Sequence, residues 1–101
     1  MSILPLWLKA GLLGILVKTW YVYIVRASDE SLYTGITTDL NRRLAEHQSG
    51  KAGAKYFRAR NACEVVYSES EHNRSTASKR EAAIKKLTRH QKLELISGQN
   101  L

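Results

Sequence analysis

The chain has 101 residues, 44% hydrophobic and 25% charged, with a formal net charge of +7 at pH 7 and a pI near 9.8. That length leaves no room for a second independent core, and the balance is that of a folded protein rather than a disordered one. With Cys63 as the only cysteine, an internal disulfide is excluded and a reducing, cytoplasmic setting is expected. The basic excess points to a polyanion, nucleic acid most simply, although an acidic membrane surface attracts by the same physics and a basic face can be mere solvated surface.

The chain opens on an apolar stretch, Ile3 to Val17, broken by Pro5, Lys9, Gly11 and Gly14. A membrane span needs roughly 20 apolar residues, so the stretch is short for one. It has no basic leading region and no small-x-small site before Lys18, so it is a poor secretory signal. Three readings stay open: a peripheral anchor, a dispensable flexible arm, or a start placed too far upstream. The last two are favoured, because recognisable domain sequence begins at Trp20. The expected division is an extension over 1–19 and a folded domain over 20–101, without stable membrane association.

Trp20 to Arg26 is aromatic and β-branched, the composition of a buried strand. Ala27 to Ser31 is a turn cluster and Leu32 to Ile36 a second short strand, which makes a hairpin. If Arg26 pairs with Leu32, then Tyr21, Tyr23, Val25, Tyr33 and Gly35 share a face, and Tyr23 and Tyr33 become diagonal neighbours roughly 7–8 Å apart at the backbone. Thr38 or Asp39 can cap a helix that runs to about Ser49 and stops at Gly50. On it Leu40 and Leu44 form the inward stripe, and Arg43 and His47, four apart, share a neighbouring face.

The loop from Lys51 to Asn61 places Lys51, Lys55, Arg58 and Arg60 around Tyr56 and Phe57, and part of it can be helical. Ala62 to Glu69 reads as a third strand, with Cys63 as a small core residue. A helix follows from about Thr76 to Leu87, capped by Asn73 or Ser75, with Ala77, Ile84 and Leu87 as its apolar stripe. A last short helix starts near Thr88 and closes at Gly98. From Lys79 to Lys92 six cations (Lys79, Arg80, Lys85, Lys86, Arg89, Lys92) face one carboxylate, Glu81. The order ββα(α)βαα is that of an α+β domain with a small three-stranded antiparallel sheet flanked by helices.

Tyr21-Val22-Tyr23, Tyr33-Thr34-Gly35, Arg43, His47 and Glu81, in that order, resemble the motifs of GIY-YIG nucleases over Trp20 to about Ile96. Tyr23 matches the tyrosine that ends the first motif and Tyr33 the one that begins the second. Arg43 stands ten residues after Tyr33, where the family has its arginine, and His47 sits where many members place a histidine or tyrosine. Leu32 to Leu40, with the Gly-Ala-Lys-Tyr loop over Gly53 to Tyr56, looks most like a small stand-alone bacterial branch. The first glycine and both isoleucines are replaced, and Ile36 stands where some members carry a lysine. Each residue alone reads as ordinary packing, solvated helix face or an i,i+4 pair; the specificity lies in the set.

The resemblance implies a divalent-metal-dependent endonuclease acting on DNA in preference to RNA, structure-specific or weakly sequence-specific, in repair or processing. Glu81 would hold one Mg²⁺ or Mn²⁺ ion, Tyr33 or Tyr23 would take a proton from the attacking water, and Arg43 would grip the phosphate. His47 would orient Tyr23 or relay a proton, and Gly35 would allow close approach. Lys51, Lys55, Arg58, Arg60, Lys79, Lys85, Lys86 and Arg89 are the expected nucleic-acid contacts. The alternative is a non-catalytic nucleic-acid-binding module that keeps the fold. A weaker third reading is a membrane-surface protein that uses the apolar N-terminus with the basic face.

Overall fold

A computed structural model describes residues 18–50, 55–57 and 60–99. Strand β1 (Trp20–Ala27) and strand β2 (Leu32–Thr37) form the expected hairpin, with Arg26 opposite Leu32 and Tyr23 opposite Gly35. The turn closes through Ala27 N–H to Ser31 O (2.9 Å) and Glu30 N–H to Ala27 O (2.9 Å), with Glu30 in the left-handed region at φ 68. Strand β3 (Ala62–His72) pairs antiparallel with the other side of β1, so the sheet order is β2-β1-β3 and the first strand is central.

Helix α1 (Leu40–Ser49) starts where Asp39 accepts the Arg42 N–H and ends at Gly50, whose φ of 75 suits a residue without a Cβ. A single 3-10 turn (Lys55–Phe57) fills the part-helical loop. Helix α2 (Arg74–Lys85) starts earlier than the apolar stripe suggests, because Asn73 and Thr76 close a reciprocal capping box. Helix α3 (Arg89–Gln99) runs through Gly98 instead of closing there. Gly98 lies in the helix with open space around it, so its glycine imposes no stop.

The third strand also exceeds its expected end at Glu69. Val22 faces Glu69 and Trp20 faces His72, so β3 accommodates an extra residue by a register shift, with Glu71 at φ 66. Two apolar layers sandwich the sheet. Val22, Ile24 and Tyr67 pack with Ala77 and Ile84 of α2, while Tyr23, Val25, Ala27 and Ala62 pack with Phe57 and, from α1, Leu40 and Leu44. No helix among the described residues is long and apolar enough to cross a membrane. The expectations for Ile3 to Val17 lie outside the described residues.

Candidate active site

The site grows from strand alternation and helix periodicity. Tyr23 points to the α1 side of the sheet and is 1% exposed. Residues four apart on a helix share a face, which turns both Arg43 and His47 toward that layer. His47, 2% exposed, places Nε2 2.8 Å from the Tyr23 hydroxyl. Arg43 reaches the same hydroxyl and rests its Nη1 3.6 Å from Glu46 Oε1, while its buried Nε has no partner among the described residues.

Burial pushes the Tyr23 phenol up to about 12, against the lowering influence of the Arg43 hydrogen bond. Burial likewise pulls His47 down to about 4, with the Arg43 charge acting in the same direction. Both groups are therefore neutral at physiological pH. A neutral imidazole has one donor and one acceptor nitrogen, so Tyr23 and His47 share one proton-bearing contact while the buried His47 Nδ1 has no partner among the described residues.

Tyr33 is less buried and lies diagonally across from Tyr23, with ring centroids 6.4 Å apart. It packs edge-on against His47 (5.2 Å) and Phe57 (5.1 Å) and tilts against Tyr56 (5.2 Å). No hydrogen bond engages its hydroxyl among the described residues. Phe57 closes the floor at 4.6 Å from the His47 ring. Tyr56 and Phe57 join the site beyond the residues expected from sequence; their one sequence signal is an aromatic pair inside a basic loop.

Glu81 stands at the edge of this cluster. It projects from α2 beside the stripe of Ala77 and Ile84, its charge is the weakest of the influences felt at Tyr23, and its side chain is 24% exposed. Lys85 Nζ stands 3.7 Å from Glu81 Oε2, too loose for a tight charge-assisted hydrogen bond. Among the described residues no group of three or more His, Cys, Asp and Glu is arranged to hold a metal. One accessible carboxylate still fits a Mg²⁺-like ion, which keeps several waters and takes its remaining ligands from substrate phosphate.

The expected cations are scattered. Lys79, Lys85, Lys86 and Arg89 are exposed on α2, its C-terminal end and α3. Arg89 already donates to Glu30 O (2.9 Å) in the hairpin turn. Arg60 is bound to Asp29 Oδ2 (2.8 Å) and lies 4.3 Å over the Tyr56 ring. Ser31 and then Arg60 hold the Asp29 carboxyl well below the usual carboxylate range. Lys51 and Arg58, with the Lys55 side chain, lie outside the described residues.

A family model described as the GIY-YIG catalytic domain matches residues 19–94, the span that carries all five chemical residues. The chain belongs to the GIY-YIG family. It is 51% identical over 79 residues to UPF0213 protein DP2720 of Desulfotalea psychrophila, covering 78% of this chain and 72% of that protein. It is 45% identical over 78 residues to UPF0213 protein YhbQ of Escherichia coli, covering 77% of each. The solution structure of EF2693 from E. faecalis superposes with a TM-score of 0.55 at 43% identity, over 82% of this chain and 88% of that one. That of UPF0213 protein BH0048 from Bacillus halodurans gives 0.50 at 42% identity, over 78% and 83%. The chain covers most of the length of each of these relatives.

Proposed function

We propose that this GIY-YIG domain, residues 20–101, is a divalent-metal-dependent endonuclease that hydrolyses phosphodiester bonds in DNA in preference to RNA. It would cut by structure or with weak sequence preference, in bacterial cytoplasmic repair or processing. The observation that carries this reading is the buried Tyr23–His47 contact with Arg43 at the same hydroxyl and Tyr33 beside it. Mere binding of phosphate gives no reason to bury a phenol and an imidazole against each other under a guanidinium.

The two tyrosines divide the work. Tyr23 is a poor base, because burial holds its proton and its hydroxyl is occupied by His47. Tyr33, more exposed and with a hydroxyl that makes no hydrogen bond among the described residues, would take the proton from the attacking water. A phenol ionises near pH 10 in water, so the positive charge of Arg43 is needed to favour the phenolate. Arg43 offers paired donors that match two phosphate oxygens, which a lysine cannot. Glu81 would hold the metal ion, which supplies a positive charge for the phosphate and the leaving oxygen. His47 with Tyr23 forms the rigid backing that keeps Arg43 and Tyr33 in register.

The deciding experiment is Mg²⁺- or Mn²⁺-dependent cleavage of labelled single-stranded, duplex and branched DNA and RNA. Metal-dependent cutting lost in Glu81→Ala, Tyr33→Phe and Arg43→Ala supports the nuclease. Binding without cutting, equal in wild type and Glu81→Ala, would replace it with the binding-module reading.

A further inference from the structure

The opposite flank of α2 carries a second polar cluster. Glu69 on β3, with a side chain 19% exposed, accepts from three neighbours. Arg80 Nε lies 2.8 and 3.1 Å from its two oxygens, His72 Nε2 lies 3.0 Å away, and the Tyr67 hydroxyl donates as well. Thr76 Oγ1, at the start of α2, is 3.1 Å from His72 Nδ1. Burial alone would raise the Glu69 carboxyl; the three donors outweigh it and hold the group ionised.

Consecutive helical residues leave the axis about 100° apart. Arg80 and Glu81 therefore flank the buried stripe of Ala77 and Ile84 on opposite sides, Arg80 toward β3 and Glu81 away from it. Ala77 presents only a methyl group to the sheet, so on the turn that carries Glu81 the longer tie to the sheet is the polar one from Arg80 to Glu69. The Nε of Arg80, shared between both oxygens of a partly buried carboxylate on β3, ties that turn of α2 to the sheet.

We infer that Glu69 and Arg80 are positioning residues, fixing the roll of α2 so that Glu81 faces the Tyr33 and Arg43 side of the site. This rests on the nuclease reading above. It also commits the Nε of Arg80 to Glu69 in place of a phosphate.

The test uses the full chain and the variants Arg80→Lys, Glu69→Gln and Glu81→Ala. Three quantities are measured: Mn²⁺ affinity by electron paramagnetic resonance, kcat and KM for cleavage, and DNA affinity without metal. Arg80→Lys keeps the charge and loses the Nε donor that bridges the two Glu69 oxygens, so it tests geometry even where Arg80→Ala would fail to fold. Loss of an outer partner of a metal ligand typically costs about 10–100-fold. The expected result is a kcat fall of about that size in Arg80→Lys and Glu69→Gln. Mn²⁺ affinity should weaken toward that of Glu81→Ala, with KM and metal-free DNA affinity unchanged. Wild-type kcat and Mn²⁺ affinity in both variants would overturn the inference, even with a lowered melting temperature. A wild-type chain that binds Mn²⁺ through Glu81 yet cleaves nothing would sink the nuclease reading, and the Mn²⁺ comparison would still decide the positioning role.

Discussion

The Tyr23 phenol lies directly over Gly35: a Cβ built at position 35 would sit 2.5 Å from the Tyr23 hydroxyl oxygen and 2.7 Å from its Cζ. Those contacts are shorter than any real Cβ makes, and the ring is boxed in by His47 and Tyr33. Gly35 does not have a positive φ, so its requirement is for space and not for backbone freedom. The glycine is the seat of the tyrosine.

Gly35→Ala should therefore displace the Tyr23 ring and break its contact with His47. Overpacking a dense interior costs about 1–3 kcal/mol, read as a lowered denaturation midpoint. Cleavage should fall further than stability does, because the reacting groups lose register. An unchanged midpoint with unchanged activity would show that the ring can move freely.

His47 predicts acid sensitivity. Its folded value of about 4 lies below its ordinary 6.5, so between those pH values the unfolded chain binds the extra proton and the folded chain does not. Stability is thus intact above pH 6.5 and is lost as pH falls toward 4, by about 3 kcal/mol. Urea denaturation at a series of pH values should show that slope in wild type and a shallower one in His47→Gln. Parallel curves would remove His47 as its source.

The phenylalanine variants should separate the two phenols. Tyr23→Phe keeps the ring but leaves His47 Nε2 without its partner in a buried place, costing about 1–3 kcal/mol of stability. Tyr33→Phe removes a hydroxyl that makes no hydrogen bond among the described residues, so stability should hardly change while cleavage is lost. Calorimetry beside a cleavage assay checks both; the reverse pattern would exchange their roles.

Binding should weaken steeply with salt, since each phosphate contact releases counterions. Lys79→Ala, Lys85→Ala and Lys86→Ala should each reduce the slope of log K against log salt by about 1 if the residue meets a phosphate. Arg60→Ala should instead lower stability, because its guanidinium is taken by Asp29 and Tyr56. A salt-independent affinity would refute the polyanion argument.

The hairpin and its register were legible because alternation and the turn cluster leave little choice: Arg26 meets Leu32 as expected. The Arg43–His47 face followed from helical spacing, and Asp39 and Gly50 bounded that helix as their chemistry dictates. The Glu69–Arg80 pair was not legible, since it joins a strand to a helix across a register shift that no local pattern announces. The end of α3 was missed because glycine permits a helix stop without enforcing one. Glu81 was legible only as a member of the set: it comes from α2, whose apolar stripe packs on the other face of the sheet, while its charge is still felt at Tyr23.

The central place of β1 has a consequence for motion. Tyr23 is hydrogen-bonded into the sheet between two neighbouring strands and is itself one of the largest fully buried side chains. Local openings in proteins spare such strands, which exchange their amide hydrogens only when the whole domain opens. The base of the site therefore has no independent breathing mode, and its amide protection should equal the global unfolding free energy. Any adjustment to a substrate must come from the periphery, from Tyr56, Glu81 and the side chains around them, closing on a fixed anvil.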